Sequence, residues 1–189
     1  MSRAQALPTV AIIADIGNDL AYEAPVDTIT KWIETVLDRL APYGARVVLN
    51  DPPLDSLKRV GAVRYRVMRE LLFPKCRLSR AELLRRAEQL SERLQELSSE
   101  REIPVFSGES AAYGLDPIHP RRAAAGDIWQ RMLGALSPSS NTPPLVRPAT
   151  TEVLRFYQLK PAEWSVYGWS RRAEQPCGRL ADGTTIAIY

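Results

Sequence analysis

The sequence predicts an α/β protein built around a parallel sheet, and two observations support this prediction. The continuous apolar run at 10–14 is rich in β-branched residues, which is typical of a strand buried on both faces, and Arg46-Val47-Val48-Leu49 predicts a second short buried strand. Apolar residues recur at helical spacing at 29–40 and again at 83–97. Strand–helix alternation of this kind favours right-handed crossovers and a parallel sheet.

The first half of the chain begins with the strand at 10–14. A helix capped by Asp27 or Thr28 follows it and is succeeded by a second short strand at 46–49. The stretch 53–74 mixes Arg and Tyr with apolar residues, so its secondary structure is left unassigned.

The second half opens with a capping box. Ser79 and Glu82 have the spacing of that motif and predict the start of a long amphipathic helix through 83–97. A third strand is predicted at 103–106, and a last helix at 123–136.

The chain changes character after residue 137. A Pro- and Ser-rich linker at 138–150 separates an α/β domain at 1–137 from an appendage at 151–189. Within the appendage, Asp182-Gly183 is a hairpin turn signal. Strand-like runs at 153–157, 164–169 and 184–189 predict a small antiparallel β structure.

The composition argues against several classes of protein. The net charge is only +3, from 25 basic and 22 acidic residues, which is not the basic surplus typical of nucleic-acid binding. Cys76 and Cys177 match no metal-ligand or redox spacing and are interpreted as structural thiols. The run at 10–14 is too short for a signal-peptide core or a membrane span. We therefore expect a cytoplasmic protein with no nucleic-acid partner and no membrane span.

The chain contains one histidine, His119, which follows Asp116 by three positions. A carboxylate at this spacing can orient an imidazole and stabilise its charged form. We therefore predict that His119 acts as a general base and acid, with Asp116 as its orienting partner. A surface histidine in a Pro-rich turn is the alternative interpretation.

A second polar corner, containing Gly17 and Asn18, follows the first strand. An Asn amide donates hydrogen bonds without titrating, and a glycine permits a sharp turn with a free backbone N–H, so the pair predicts an oxyanion hole. Ordinary turn chemistry is the alternative. Because the carboxyl ends of parallel strands meet at one sheet edge, Asn18, Asp51 and the Asp116/His119 loop are expected to gather there.

Taken together and in this order, these two corners resemble blocks of the SGNH (GDSL-type) hydrolase family. Gly17-Asn18-Asp19 is similar to that family's Gly-x-Asn-Asp block in shortened form, and Asp116-Pro117-Ile118-His119 is similar to its final Asp-x-x-His block. The resemblance covers roughly residues 8–136. It implies a flavodoxin-like three-layer fold and a serine hydrolase acting on an acyl or acetyl ester, which could be a small molecule, a polysaccharide or a lipid. His119 would be the base, Asp116 its orienting partner, and Asn18 with Gly17 the oxyanion donors, with no cofactor.

The family's nucleophile block, Gly-Asp-Ser, has no counterpart ahead of the strand at 10–14. We therefore expect the sequence to represent the C-terminal part of a family member. The strand at 10–14 would then be an exposed edge open to a partner chain or a second copy. Ser110, in Gly108-Glu109-Ser110, is a weak candidate for the nucleophile because it follows the last strand rather than the first.

Other functions stay open on the sequence alone. The same fold without a nucleophile could serve as a catalytically inactive binding or partner-association module. A divalent metal could be held by the polar side chains at the sheet edge, although one histidine makes a weak ligand set; the candidates are Asp19, Asp51, Asp116 and His119. Aromatic side chains could line an acyl or sugar site or belong to the core, namely Trp129, Tyr157, Trp164, Tyr167 and Trp169.

Overall fold

The structure is a computed structural model that describes residues 9–136, 150–166, 169–180 and 183–189. Within these residues the protein is mixed α/β, with a three-stranded parallel sheet and two small antiparallel sheets. The parallel α/β prediction is therefore confirmed. The chain divides into two compact units, one within 1–145 and the other within 146–189. The predicted linker at 138–150 lies outside the described residues except for its last residue.

The sheet of the first unit consists of β1 (Val10–Ile13), β2 (Arg46–Asn50) and β3 (Val105–Phe106), in that order. β1 pairs with β2 along its whole length, and β2 pairs with β3, both in parallel. β3 is shorter than predicted because Pro104 has no N–H to offer the ladder. The Pro104 carbonyl still accepts a hydrogen bond from Leu49 at 3.0 Å.

The prediction that the first strand is buried on both faces is wrong. Val10 is 47% exposed, and the other three residues of β1 are half-buried. The cause is position, because β1 is an edge strand and no other strand of the described residues pairs with its outer side.

The helices of the first unit alternate with the strands. The Ser79 hydroxyl accepts a hydrogen bond from the Glu82 N–H at 3.1 Å, which confirms the predicted capping box. The first long helix instead follows Pro25, so Asp27 lies in its first turn and not at its cap. The helices are α1 (Asn18–Ala21), α2 (Val26–Leu40), α3 (Leu54–Arg59), α4 (Ala62–Leu72), α5 (Arg80–Arg101) and α6 (Arg122–Ala135).

The stretch left unassigned by the sequence contains α3 and α4. The Arg80 guanidinium donates to the Lys58 carbonyl at 2.8 Å and also to the Val60 carbonyl, just beyond α3. The Tyr65 hydroxyl of α4 donates to the Leu78 carbonyl at 2.7 Å. These polar contacts add to the packing of Leu54, Leu57 and Tyr65 against the core.

The two faces of the sheet contribute to different apolar clusters. Val47 and Leu49 of β2 belong to the larger cluster together with buried residues of α2 and α5. Val48, on the opposite face, belongs to the smaller cluster with Ile128 and Met132 of α6. Helices therefore pack against both faces of β2. Within the described residues, no helix combines the length and apolar character needed to cross a bilayer.

The second unit contains α7 (Thr150–Tyr157) followed by two strand pairs. The prediction of a strand at 153–157 is wrong, because a short apolar run fits either secondary structure and its spacing here serves a helix. The predicted run at 164–169 divides between β4 (Glu163–Val166) and β5 (Trp169–Arg172), which pair in antiparallel fashion.

The predicted hairpin turn lies between β6 (Gly178–Arg179) and β7 (Thr185–Ile186), which are also antiparallel. Gly183 has a φ of +90°, a value that glycine adopts without strain. Its N–H donates to the Leu180 carbonyl at 3.1 Å. Asp182, the other half of the turn signal, lies outside the described residues.

Candidate active site

The Asp116/His119 loop is closed at its base and organised by one carboxylate. Tyr113 and Pro120 form an isolated antiparallel bridge, so the two ends of the loop meet. Asp116 Oδ1 accepts hydrogen bonds from the Ile118 N–H at 2.9 Å and the His119 N–H at 3.2 Å. These contacts leave the other carboxylate oxygen, Oδ2, to the imidazole, 2.7 Å from His119 Nδ1. The backbone of the loop therefore fixes the Asp116 carboxylate, and the carboxylate in turn orients the His119 ring.

The partner of Nδ1 determines how a neutral His119 ring carries its proton. An ionised carboxylate can only accept, so His119 donates from Nδ1 to Asp116 and keeps its lone pair on Nε2. A ring in this tautomer can take up a proton at Nε2. The His119 side chain is 45% exposed, so a reacting group can approach it.

The ionisation of Asp116 fits an orienting role. Partial burial acts to raise the pKa of Asp116, but the hydrogen bonds from the Ile118 N–H and from the ring and N–H of His119 outweigh it. The pKa of Asp116 is therefore lower than its ordinary value, and the carboxylate stays ionised at neutral pH. Asp19, in contrast, has its pKa raised by burial.

Asn18 lies in the turn that follows β1. The prediction that Gly17 supplies the sharp bend is wrong, because Gly17 has an ordinary φ of −68° and an added Cβ would lie 3.7 Å from Pro52, an ordinary contact. The left-handed residue is Asp15, at a φ of +59°. Its carbonyl accepts a hydrogen bond from the Asn18 N–H at 3.0 Å, and α1 begins there.

The structure brings Asn18 and His119 together although 101 positions separate them. Asn18 Nδ2 lies 3.5 Å from His119 Nε2, a long contact that leaves the amide donor beside the nitrogen that takes up a proton. Asn18 Oδ1 is buried and has no hydrogen-bond partner within the described residues. Asp116, His119 and Asn18 therefore form one row of polar groups.

A further residue, Arg64, holds the loop from outside. This α4 side chain donates from Nε to the Leu115 carbonyl at 2.8 Å, and its Nη2 contacts the Gly114 carbonyl. Both carbonyls directly precede Asp116. Sequence reasoning missed Arg64 because it lies about fifty positions away in the stretch that had no assigned structure.

Replacing Arg64 by alanine is expected to loosen the loop. The amide protons of Ile118 and His119 should exchange about tenfold faster, since the backbone that presents Asp116 loses its outer anchor. Residue-resolved hydrogen exchange measures this change. Arg66→Ala, an exposed substitution on the same helix, is the matched control and should leave both rates unchanged. Equal rates in the two variants would show that Arg64 does not hold the loop.

A buried carboxylate, Asp51, directly follows the end of β2. Asp51 is 6% exposed, and its Oδ2 accepts hydrogen bonds from Ser91 at 2.9 Å and Ser107 at 3.0 Å. Burial raises the pKa of Asp51, although the two serine hydrogen bonds oppose that shift. The sequence predicted Asp51 as a polar corner but not its partners. A signal for Ser91 was available, since it lies between Leu90 and Leu94 on a buried helix face.

Other candidates are not brought to the imidazole. Ser110 begins a short 3₁₀ turn, and the described hydrogen bonds of the His119 ring go to Asp116 and Asn18 only. Within the described part of the chain, no group of three or more His, Cys, Asp or Glu side chains could hold a metal ion. The Asp51 carboxylate accepts from two serines instead. Cys76 and Cys177 are free thiols.

The aromatic residues considered for an acyl or sugar site belong to both units. Trp129 is 46% exposed on α6 in the first unit. The others fall in the second unit, where Tyr157 and Trp169 are exposed and Tyr167 is outside the described residues.

Comparisons with protein-family models, curated protein sequences and solved structures gave no match to this chain.

Proposed function

We propose that the protein is an acyl-ester hydrolase of the SGNH type, with His119 as general base and acid. The observation that carries the proposal is the row in which Asp116 Oδ2 lies 2.7 Å from His119 Nδ1 and Asn18 Nδ2 lies 3.5 Å from Nε2. A carboxylate, an imidazole and an untitratable donor in this order are the parts that assist acyl transfer from an ester to a serine hydroxyl.

The same groups act in both halves of the reaction, acylation of the serine and hydrolysis of the acyl-serine. His119 Nε2 takes the proton of a serine hydroxyl while the serine oxygen bonds to the ester carbonyl carbon. The Asn18 amide, with the Gly17 N–H, stabilises the oxyanion of the tetrahedral intermediate. His119 then gives its proton to the leaving alcohol as the ester C–O bond breaks. Water repeats the same steps on the acyl-serine and releases the acid.

The proposal includes a flavodoxin-like three-layer arrangement. Its support is the division of the core between the two faces of β2, with α2 and α5 on one side and α6 on the other. All three strands of this sheet are parallel, and the polar corners follow the carboxyl ends of the strands, where ligands bind in such folds.

We assign the nucleophile to a serine outside the described residues, on a segment that pairs with the open edge of β1. α2 and α6 share apolar clusters with residues of β1. Each helix also carries exposed apolar side chains that a docked segment would cover; these are Trp32 and Val36 on α2 and Trp129 and Leu133 on α6. Among the described residues the buried Asn18 Oδ1 also has no donor, and a docked segment would supply one. The segment could belong to the same polypeptide or to a partner chain.

The second candidate function is partner association without catalysis. The open β1 edge favours it, since an unpaired apolar edge is a template for another strand. In that case the Asp116/His119 loop would have no chemical role, and a second copy or partner strand would occupy the edge. The two functions differ in one measurable property, the presence of a reactive serine.

Fluorophosphonate labelling separates the two functions. The protein is isolated through a C-terminal tag from cells that express it from its own gene, together with any chain bound to it. Hydrolysis of p-nitrophenyl acetate is measured, and the labelled serine is located by peptide mass spectrometry. We expect turnover, with one labelled serine that is not Ser110 and whose labelling is lost in His119→Ala.

Two outcomes would contradict the proposal in different ways. A label on Ser110 would overturn the assignment of the nucleophile to a segment at the β1 edge. Neither label nor turnover, in a preparation that self-associates or retains a partner, would favour the association function. A Ser110→Ala variant, which should hydrolyse the ester at the unaltered rate, is the control.

A further inference from the structure

An apolar pocket lies beside the candidate active site, formed largely by the helices that the sequence left unassigned. Side chains from α3, α4 and α5 and from the Asp116/His119 loop make up its wall. Its principal apolar residues are Leu57, Val60, Met68, Leu72, Leu84 and Ile118.

The pocket and the active site share two segments of chain. Ala21, at the end of the short helix that starts with Asn18, lines the pocket. Asp116, Pro117 and Ile118, the three residues that precede His119, line it as well. A group held in the pocket is therefore close to the backbone that carries both the imidazole and the Asn18 amide.

The polar groups on the wall are already occupied. The Tyr65 hydroxyl donates to the Leu78 carbonyl at 2.7 Å, and burial raises the pKa of Tyr65 to about 12. Arg80 donates to the Lys58 carbonyl at 2.8 Å and to the Val60 carbonyl. Arg69 donates to the Leu78 carbonyl and to the Glu70 carboxylate, both at 3.4 Å. The two guanidiniums that could attract an anion are thus paired within the protein, and Asp116 adds a negative charge. The pocket consequently favours an uncharged, apolar group.

The size of the pocket limits what it can hold. Its volume is about 40 Å³. A group the size of a water molecule needs a cavity volume of roughly 10–15 Å³, so the pocket accepts roughly three groups of that size. This is the size of a short hydrocarbon chain.

We propose that this pocket binds the acyl chain of the substrate ester and selects saturated chains of roughly two to four carbons. This inference rests on the proposed hydrolase function. It names the acyl part of the substrate, which the Asp116–His119–Asn18 row does not determine. An alkyl chain in the pocket would place the ester beside the wall formed by Asp116, Pro117 and Ile118, the segment that directly precedes His119.

The methyl group of Met68 reports directly on occupancy. The full-length protein is labelled at the methionine methyl carbons and titrated with butyramide, an uncharged and unhydrolysed analogue of a butyryl ester. We expect the Met68 signal to shift while that of Met132 stays fixed, because Met132 is 2% exposed in the separate α6 cluster. The same shift is expected in His119→Ala, so the measurement does not depend on turnover.

Two neighbouring substitutions on α4 test the location. Leu72 lines the pocket and is 40% exposed, so Leu72→Trp should occupy the pocket without disturbing the core and weaken butyramide binding about tenfold or more. Leu71 is 71% exposed and does not line the pocket, and Leu71→Trp should bind butyramide with unchanged affinity. Octanamide should bind no more tightly than butyramide.

The outcomes separate this inference from the proposed function. If Met68 does not shift, or if Leu72→Trp binds butyramide as tightly as Leu71→Trp, the pocket assignment is overturned. His119-dependent ester hydrolysis would then still stand. Tighter binding of octanamide by about tenfold would overturn the chain-length limit. Intact butyramide binding in a protein without ester hydrolysis would overturn the acyl role.

Discussion

Replacing His119 by alanine is expected to reduce kcat/KM for ester hydrolysis roughly 10⁴-fold or more. The imidazole is the only group in the described site placed to take the serine proton, because its Nε2 lies beside the Asn18 amide and its Nδ1 is held by Asp116. The assay is hydrolysis of p-nitrophenyl acetate by the protein isolated with its nucleophile segment. Asp19→Asn is the control, since the Asp19 side chain makes no described contact with the ring.

The proposed mechanism also requires that the neutral His119 ring carry its proton on Nδ1, and replacing Asp116 tests this requirement. In Asp116→Asn the new amide can donate toward Nδ1, which would move the imidazole proton to Nε2 and remove the base; we expect a loss of roughly 10³-fold or more. His119 is the sole histidine, so its ring nitrogens give an unambiguous NMR signature of the tautomer. Full activity in His119→Ala, or an unchanged tautomer together with full activity in Asp116→Asn, would contradict the proposed mechanism.

The elements that the sequence predicted well are those with strong local signals. A run of β-branched residues predicts β1, and a second run predicts β2. A capping box predicts the start of α5, and each of these signals lies within a few residues. The Asp116–His119 pair is predictable for the same reason, because three positions in one loop fix their geometry. Local chemistry was sufficient for these features.

The features that the sequence did not predict depend on contacts between distant segments. α4 is held by Arg64 and Tyr65, whose partners lie 51 and 13 positions away, and no periodic pattern encodes such contacts. α7 was predicted as a strand for a different reason: its local pattern is ambiguous, because a short apolar run fits both a strand and a helix. The contact between Asn18 and His119 was predicted only through the expectation that parallel strands end at one edge.

The hydrogen-bond network of Asp51 with Ser91 and Ser107 is expected to stabilise the fold substantially. Asp51→Ala should lower the free energy of unfolding by about 2 kcal/mol, because it leaves a cavity and removes the acceptor of the Ser91 hydroxyl, which belongs to a residue 8% exposed. Urea denaturation measures the change. Asp55→Ala, at an exposed position on α3, should change stability by less than about 0.5 kcal/mol. Equal values for the two variants would show that the network contributes no stability.

Asp51→Asn isolates the charge of the network from its hydrogen bonds. Burial raises the pKa of Asp51 above its ordinary value of 3.8, so the folded state holds this proton more tightly than the unfolded state does. The protonated carboxyl therefore contributes stability that is fully present below pH 3.8 and is lost as the pH rises through the raised pKa.

The asparagine introduced by this substitution cannot ionise, and its side-chain oxygen can still accept from both serines. The variant should gain stability relative to the unaltered protein as the pH rises through that window. A constant difference between the two proteins from about pH 4 to about pH 8 would show that Asp51 has the same pKa in both states, and that burial does not control its charge.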